Sequence, residues 1–309
     1  MRIFETKAAM RDFSREQRAA GRRVGFVPTM GYLHEGHLQL VECAKASCDV
    51  VVVSIYVNPT QFSQNEDFGT YPTSLDADKA KLENMGCDGL LLPSGSLYSY
   101  AENGEGQRHD QGLVVGCKSE GVGDDAGEHS TWVDVGKVSQ GLCSLSRPHF
   151  FRGVATVVTK LFHIVEPDVA YFGKKDYQQL KVITRLVRDL DFGIKIVGAP
   201  ISREKDGLAR SSRNALLTEA HREKAPVIFQ SLVEAQRLCR EAEGEPLAIE
   251  VVVKDIERKI EAADGVVDYV HVVDADTVAR RTDVVAVGSS LIAVAAFFGS
   301  VRLIDNIEV

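Results

Sequence analysis

The sequence predicts an α/β protein, a doubly wound parallel sheet with helices on both faces followed by a smaller α+β domain. Three observations carry this reading. Short apolar runs rich in β-branched residues alternate with helix-period segments from Arg23 to Pro200. One of these runs, Asp49 to Val57 (DVVVVSIYV), is almost free of polar residues, as a strand buried on both faces must be. Beyond Arg213 the alternation stops, and two helical segments precede two strand-like ones.

Taken in order, MRIFETKAAMRDFSREQRAAG reads as an amphipathic helix. Its acidic residues Glu5, Asp12 and Glu16 argue against a transit peptide, and it lacks the unbroken apolar core of a secretion signal. Arg23 to Pro28 is a short buried strand, and His37 to Ala46 carries the helix period through Leu38, Leu40, Val41 and Ala44. With the Asp49–Val57 strand these form a βαβ unit, which requires a parallel sheet. The pattern repeats: TSLDADKAKLENMG is helical, DGLLLP a strand, GVATVVTKLFHIVEP helical, DVAYFG a strand, DYQQLKVITRLVRDL helical and IKIVGAP a strand. Residues 94–130 are rich in Gly and acidic residues and read as a long surface insertion, with a short strand at Leu113 to Val115. TEAHREKAPVIFQSLVEAQRLCREA and LAIEVVVKDIERKIEAA are then two helices. DYVHVVDADT and SSLIAVAAFFGSVRLID are strands, the latter turning at Gly299-Ser300. The natural division is 1–207 and 208–309.

Composition bounds the function. With 309 residues, 44% of them hydrophobic and 26% charged, the chain is too apolar for disorder, and no run approaches the roughly 18 apolar residues of a membrane span. A net charge of −8 argues against a broad nucleic-acid surface but permits a local basic pocket for a small anion. Six cysteines without a CxxC pair suit a reducing compartment, so a cytosolic protein is expected.

In a doubly wound sheet, ligands bind outside the carboxyl ends of the strands, so Pro28–Gly36, Asn58–Phe62 and Gly173–Asp176 should face one cleft. In HEGH, His34 and His37 lie three apart at an expected helix start, where unpaired N–H groups attract anions and imidazoles can donate to phosphate oxygens. Gly36 lets a bulky group approach the backbone. A zinc site would need histidines four apart and a third ligand, and neither is present in the motif, so no residue is assigned to a metal. HEGH alone fits a pair of satisfied surface histidines equally well. VNPTQF offers the amides Asn58 and Gln61, which orient a polar substrate without adding charge. FGKKDYQQL opens a helix with Lys174, Lys175 and Asp176, the last suited to N-cap or ribose contact, and places Gln179 on the same face as Asp176. DGLARSSRN supplies hydroxyls and guanidinium forks fit for triphosphate oxygens. Neither a Walker P-loop nor a Rossmann GxGxxG occurs.

Together PTMGYLHEGH, YVNPTQF, SRPHFFRGVATVVTKLFHIVEPD, FGKKDYQQ, DGLARSSRN and the terminal RLIDN resemble the pantothenate synthetase (pantoate–β-alanine ligase) family, in order and spacing, from about residue 3 to the end. The resemblance implies a HIGH-motif nucleotidyltransferase fold, a Rossmann-like domain with a C-terminal lid, and a homodimer. It implies ligation of (R)-pantoate to β-alanine with ATP and Mg²⁺, through a pantoyl-adenylate, giving pantothenate, AMP and pyrophosphate. By the same resemblance Met30 to His37 bind nucleotide, with His37 the catalytic proton donor, His34 its phosphate-binding companion and Gly36 between them. Gln61 and Gln179 hold pantoate, with Gln61 near β-alanine. Gly173, Lys174, Lys175 and Asp176 form an ATP loop with Lys175 on the phosphates, Ser202 approaches the adenine, and Arg210, Ser211, Ser212 and Arg213 close over the phosphates. Departures are FGKKD for bacterial FGEKD or FGQKD, Arg210 in place of an apolar residue, and Phe150 where bacterial members have histidine. With the insertion, these resemble the plant-type branch.

Overall fold

The computed structural model describes residues 1–62, 73–98, 129–242 and 245–309. The chain begins with a strand, β1 (Arg2–Phe4), and Thr6 caps the helix α1 (Lys7–Ala19) by accepting from the Ala9 amide. Sequence periodicity predicts helix through this whole stretch. Three residues at a sheet edge are too few to display a strand period, which is why β1 is not legible. Then follow β2 (Val24–Thr29), α2 (Glu35–Lys45), β3 (Val50–Ile55), α3 (Leu75–Asn84) and β4 (Gly89–Leu91). After the short helix α4 (Cys143–Ser146) come α5 (Phe150–Val165), β5 (Val169–Gly173), α6 (Tyr177–Asp189) and β6 (Lys195–Ala199). The expected strand at Leu113–Val115, and residues 99–128 of the insertion, lie outside the described residues.

The first six strands form one parallel sheet in the order β1-β4-β3-β2-β5-β6. Strand order reverses between β2 and β5, so a crevice opens at their carboxyl ends. Alternate side chains go to opposite faces. Val24, Phe26, Val50, Val52, Ala170 and Phe172 pack under α1, α5 and α6. Val27, Val51, Val53, Ile55, Val169 and Tyr171 pack under α2 and α3. Burial on both faces explains the near-continuous apolar strands.

An aspartate stands just before three of these strands and fixes their register. Asp49 Oδ2 accepts from the Arg23 amide at 2.8 Å, Asp88 Oδ2 from the Val51 amide at 2.8 Å, and Asp168 Oδ2 from the Val24 amide at 2.8 Å. Each carboxylate satisfies an N–H at the start of the neighbouring strand, where the ladder has not yet begun.

The remainder contains α7 (Glu219–Lys224), α8 (Val227–Glu241), α9 (Ile249–Ala262) and an antiparallel sheet β7 (Val266–Asp274), β8 (Ser290–Phe298), β9 (Val301–Glu308), in the order β7-β8-β9. The single helix expected over 218–242 is divided at Ala225-Pro226, because Pro226 has no N–H to continue the helical hydrogen bonding. One face of the small sheet packs on α8 and α9 through Val270, Val272, Ile292, Val294 and Phe298. The other face packs on Leu142 and Tyr177 of the larger layer through Tyr269, Leu291, Ala293 and Ala295. Covered on both sides, β8 reads SLIAVAAFF with no alternation. The 207/208 division lies inside a turn bridged by Arg203 and Ala209, and Leu208 belongs to the second core. No helix among the described residues is long and apolar enough to cross a membrane.

The register contacts are testable. Replacing Asp168 by Ala leaves the Val24 amide without its acceptor, and chemical denaturation should show a loss of about 1–3 kcal/mol. An unchanged midpoint would mean that this carboxylate does not hold the strand.

Candidate active site

The cleft at the β2–β5 reversal is built first from the turn that leads into α2. Gly31 and Tyr32 both have positive φ, 88° and 51°. This conformation turns the Tyr32 and Leu33 amides onto the buried Asp78 carboxylate, each at 2.7 Å. Lys81 donates to the Leu33 carbonyl at 2.6 Å. One face of α3 thus holds the turn from behind, and His34 arrives at the N-cap of α2.

Here the two histidines cap reciprocally. His34 Nδ1 accepts from the Gly36 amide at 3.1 Å, and His37 Nδ1 accepts from the His34 amide at 3.3 Å. A neutral imidazole whose Nδ1 accepts must carry its proton on Nε2. Both rings, 4.1 Å apart between centroids, therefore offer an Nε2–H donor beyond the helix end. Burial, the Lys175 charge and Arg210 hold the His34 pKa down to about 4. Burial, His34 and Lys175 hold His37 down to about 3. Both rings are neutral at physiological pH. Gly36 has no room for a side chain, since a Cβ would stand 2.9 Å from His34 Cε1 and push the ring out of place.

The other expected loops converge on the same cleft. Met30, His34, Gly36, His37, Gln61, Gly173, Lys175, Asp176, Gln179, Ser202, Arg210, Ser211, Ser212 and Arg213 all line it. Lys174 does not. Its amine pairs with Glu308 at 2.6 Å on β9, because the 3-10 turn 174–176 directs consecutive side chains to different sides. Asp176 occupies the N-cap position of α6 but makes no capping bond, which leaves its carboxylate at the cleft. The adjacent glutamines divide their work. Gln179 faces the cleft, while the buried Gln178 donates to the Gln140 and Gly141 carbonyls and accepts from the Cys143 amide. Arg210 lines the cleft while paired with Glu204 at 3.2 Å, so its added charge is partly neutralised. Ser211 caps the 3-10 turn at 212–216 by accepting from the Arg213 amide.

Gln61 is oriented by Asn58, whose Nδ2 donates to Gln61 Oε1 at 3.1 Å and to the Gly153 carbonyl at 3.2 Å. Asn58 Oδ1 accepts from Tyr98 at 2.9 Å and Thr60 at 3.0 Å, so the amide is saturated. The Gln61 amide nitrogen then points toward Met30 Sδ at 2.9 Å. Several lining residues were not singled out from sequence. Val154, Val157, Val158 and Leu161 of α5 form an apolar wall, legible only as a helix with apolar residues on more than one face. Arg147 donates to the Gln61 carbonyl at 3.0 Å and lies 3.9 Å above the Phe150 ring, a position that no local pattern announces.

A profile of the pantoate-beta-alanine ligase family matches residues 2–308. The chain belongs to this family. A pantoate–β-alanine ligase of Arabidopsis thaliana is 48% identical over 99% of this chain and 97% of its own length. A pantothenate synthetase of Desulfitobacterium hafniense is 44% identical over 99% and 98%. Among solved structures, a pantothenate synthetase from Thermus thermophilus superposes with a TM-score of 0.82 at 38% identity, covering 100% of this chain and 99% of that one. A pantoate–β-alanine ligase from Francisella tularensis, complexed with beta-gamma ATP and β-alanine, gives 0.69 at 30% identity, covering 100% and 97%.

Two outcomes test this ligase's cleft. The folded pKa values of both histidines lie below the usual 6.5. The stability gained by keeping them neutral is therefore complete above that value and is lost as pH falls toward about 4 and about 3, the unfolded chain binding protons first. The urea midpoint should fall between about pH 6.5 and pH 4.5, and less steeply for H34Q/H37Q. Equal slopes would contradict the buried neutral pair. Separately, a Cβ on Gly153 would clash with the Thr60 carbonyl oxygen. Gly153→Ala should cost about 1–3 kcal/mol by denaturation as α5 is forced off the Gln61 turn; no cost would mean that the turn yields freely.

Proposed function

We propose that this ligase condenses (R)-pantoate with β-alanine at the expense of ATP, giving pantothenate, AMP and pyrophosphate through a pantoyl-adenylate. The observation that carries the reading is the pair of outward Nε2–H donors at the α2 N-terminus, sharing a cleft with Lys175 and the Ser211–Arg213 loop and flanked by the uncharged amides Gln61 and Gln179. Cations and neutral donors gathered at a helix N-terminus suit a triphosphate. Uncharged amides beside an apolar wall suit a small branched hydroxy acid. The Francisella tularensis relative crystallised with a nucleotide and β-alanine supports the same assignment.

In the first step a pantoate carboxylate oxygen attacks the α-phosphorus, and the bond to the bridging oxygen breaks as pyrophosphate leaves. Charge accumulates on the non-bridging oxygens, where His34 and His37 donate hydrogen bonds and Lys175 and Arg213 supply positive charge. In the free cleft His37 is neutral, its pKa held down by burial, His34 and Lys175, and its Nε2–H is the proton it offers to the phosphate. Gln61 and Gln179 hold the pantoate hydroxyls, and the Gly173–Asp176 and Ser202 backbone borders the nucleoside. In the second step the uncharged β-alanine amine attacks the acyl carbon, the bond from that carbon to the phosphate oxygen breaks as AMP departs, and the proton on the new amide nitrogen passes to solvent. The mixed anhydride is already activated, so holding the amine in place is the main requirement.

Magnesium fits this cleft in one manner. The described residues hold no cluster of three or more His, Cys, Asp or Glu side chains suited to a metal, and Asp176 is the carboxylate lining the cleft among them. Asp176 is the residue that would help hold such an ion beside the nucleotide, where it would supply positive charge to the phosphates. The reading extends to a cytosolic homodimer, a HIGH-motif nucleotidyltransferase architecture, and a division in which residues 208–309 form the lid.

ATP–pyrophosphate exchange decides the matter. It should require pantoate and proceed without β-alanine, and absence of exchange with pantoate would sink the ligase reading. His37→Ala should slow exchange by about 100- to 1000-fold. Undiminished exchange would remove that residue from the chemistry.

A further inference from the structure

Consecutive residues on β9 reach both loops that line the phosphate side of the cleft. Asn306 Nδ2 donates to the Lys174 and Lys175 carbonyls, each at 3.0 Å. Asp305 binds Arg203 through both oxygens, Oδ2 to Nη1 at 2.6 Å and Oδ1 to Nη2 at 2.9 Å, and its Oδ1 also accepts from the Asn306 amide at 2.8 Å. Arg203 carries the grip onward. Its guanidinium donates to the Gly207 carbonyl at 3.1 Å and lies 3.8 Å above the Phe229 ring. Its carbonyl accepts from Arg210 Nε at 3.3 Å, and the Arg210 amide closes on Ser202 at 2.9 Å. The segment so braced leads directly into Ser211–Arg213. Asp305 and Asn306 are themselves 4% and 6% exposed and do not line the cleft; Asn306 meets only the backbone behind Lys175.

From this juxtaposition we propose that Asp305 and Asn306 are positioning residues for ATP. One peptide step of β9 sets the spacing between the Lys175 loop and the Ser211–Arg213 loop across the triphosphate. The proposal rests on the ATP-dependent ligase reading and deepens it. Because neighbouring Cα atoms are about 3.8 Å apart across a trans peptide, the two anchor points cannot drift independently. A phosphate-binding pair of loops needs that constraint, since misplacing either by about 1 Å costs roughly 100-fold in rate. Burial raises the Asp305 carboxyl's pKa in spite of the guanidinium. A buried ion pair adds little net stability, and a fixed direction for Arg203 is what this one supplies. The small sheet thus contributes to the site without presenting a side chain to the substrate.

The test compares Asn306→Ala and the isosteric Asn306→Asp with Arg302→Ala, which removes the pair between Arg302 of the same strand and Asp268 of β7 and touches neither loop. Calorimetric ATP affinity and both Michaelis constants are measured on full-length protein. Both Asn306 variants should weaken ATP roughly 10- to 100-fold and leave the pantoate KM unchanged, while Arg302→Ala leaves ATP affinity intact. Unaltered ATP affinity in the Asn306 variants would overturn the proposal, as would equal losses for ATP and pantoate. If neither variant folds, hydrogen exchange on the unsubstituted protein decides. ATP should slow the amides of 174–177, 211–214 and 303–308 over one concentration range, and an unresponsive 303–308 would overturn it. Failure of the ligase reading is separable: it appears as absent pantoate-dependent exchange in the unsubstituted enzyme, whatever the ATP affinities.

Discussion

The first turn of α2 is the constraint around which the cleft is arranged. A helix start leaves amides that need acceptors, and here the acceptors are the Nδ1 atoms of the same two histidines whose Nε2 atoms face outward. Capping and ligand donation are therefore one arrangement seen from two sides. A serine or aspartate cap would satisfy the helix as well but would present no outward N–H. The surroundings follow from this requirement. Asp78 and Lys81 hold the preceding turn, Gly36 leaves His34 its place, and Ser202 approaches from the neighbouring strand end.

Charge in the cleft obeys the same logic. Lys175 and Arg210 surround rings that burial already keeps neutral, so the free cleft carries cations with Asp176 as the carboxylate lining it among the described residues. Such a cavity is stabilised by an anion, which relieves the repulsion between the cations and accepts from the neutral imidazoles in the same act. The glutamines beside it add no charge. A charged half and an uncharged half within one crevice suit two ligands of different chemistry.

Much of this was legible in the sequence, and the parts that were not share a cause. Strands buried on both faces, such as β3 and β5, advertise themselves as β-branched runs, and a doubly wound order then places HEGH, NPTQ and GKKD at one edge before any contact is known. Local patterns cannot show which way a side chain turns once the chain leaves regular structure. Lys174 and Lys175 are identical in sequence logic, yet a 3-10 turn sends one to Glu308 and the other to the cleft. Gln178 and Gln179 part in the same way. Arg147 and the β9 pair act across long sequence separations, and a single chain carries no trace of such contacts. β1 and the break at Pro226 were missed for local reasons, the one too short to have a period and the other overruled by a strong helical pattern on both sides.

The contacts that join β9 to the two loops differ in strength. Removing one partner from a buried, hydrogen-bonded ion pair costs about 3–5 kcal/mol. A neutral hydrogen bond is worth about 1 kcal/mol. Asp305–Arg203 is of the first kind, with side chains 3% and 18% exposed, whereas the Asn306 bonds to Lys174 and Lys175 are of the second. The Lys174–Glu308 pair and the packing of Tyr177 on the small sheet add to the second set, so β9 is tied to both loops by several contacts of different strength and not by one alone.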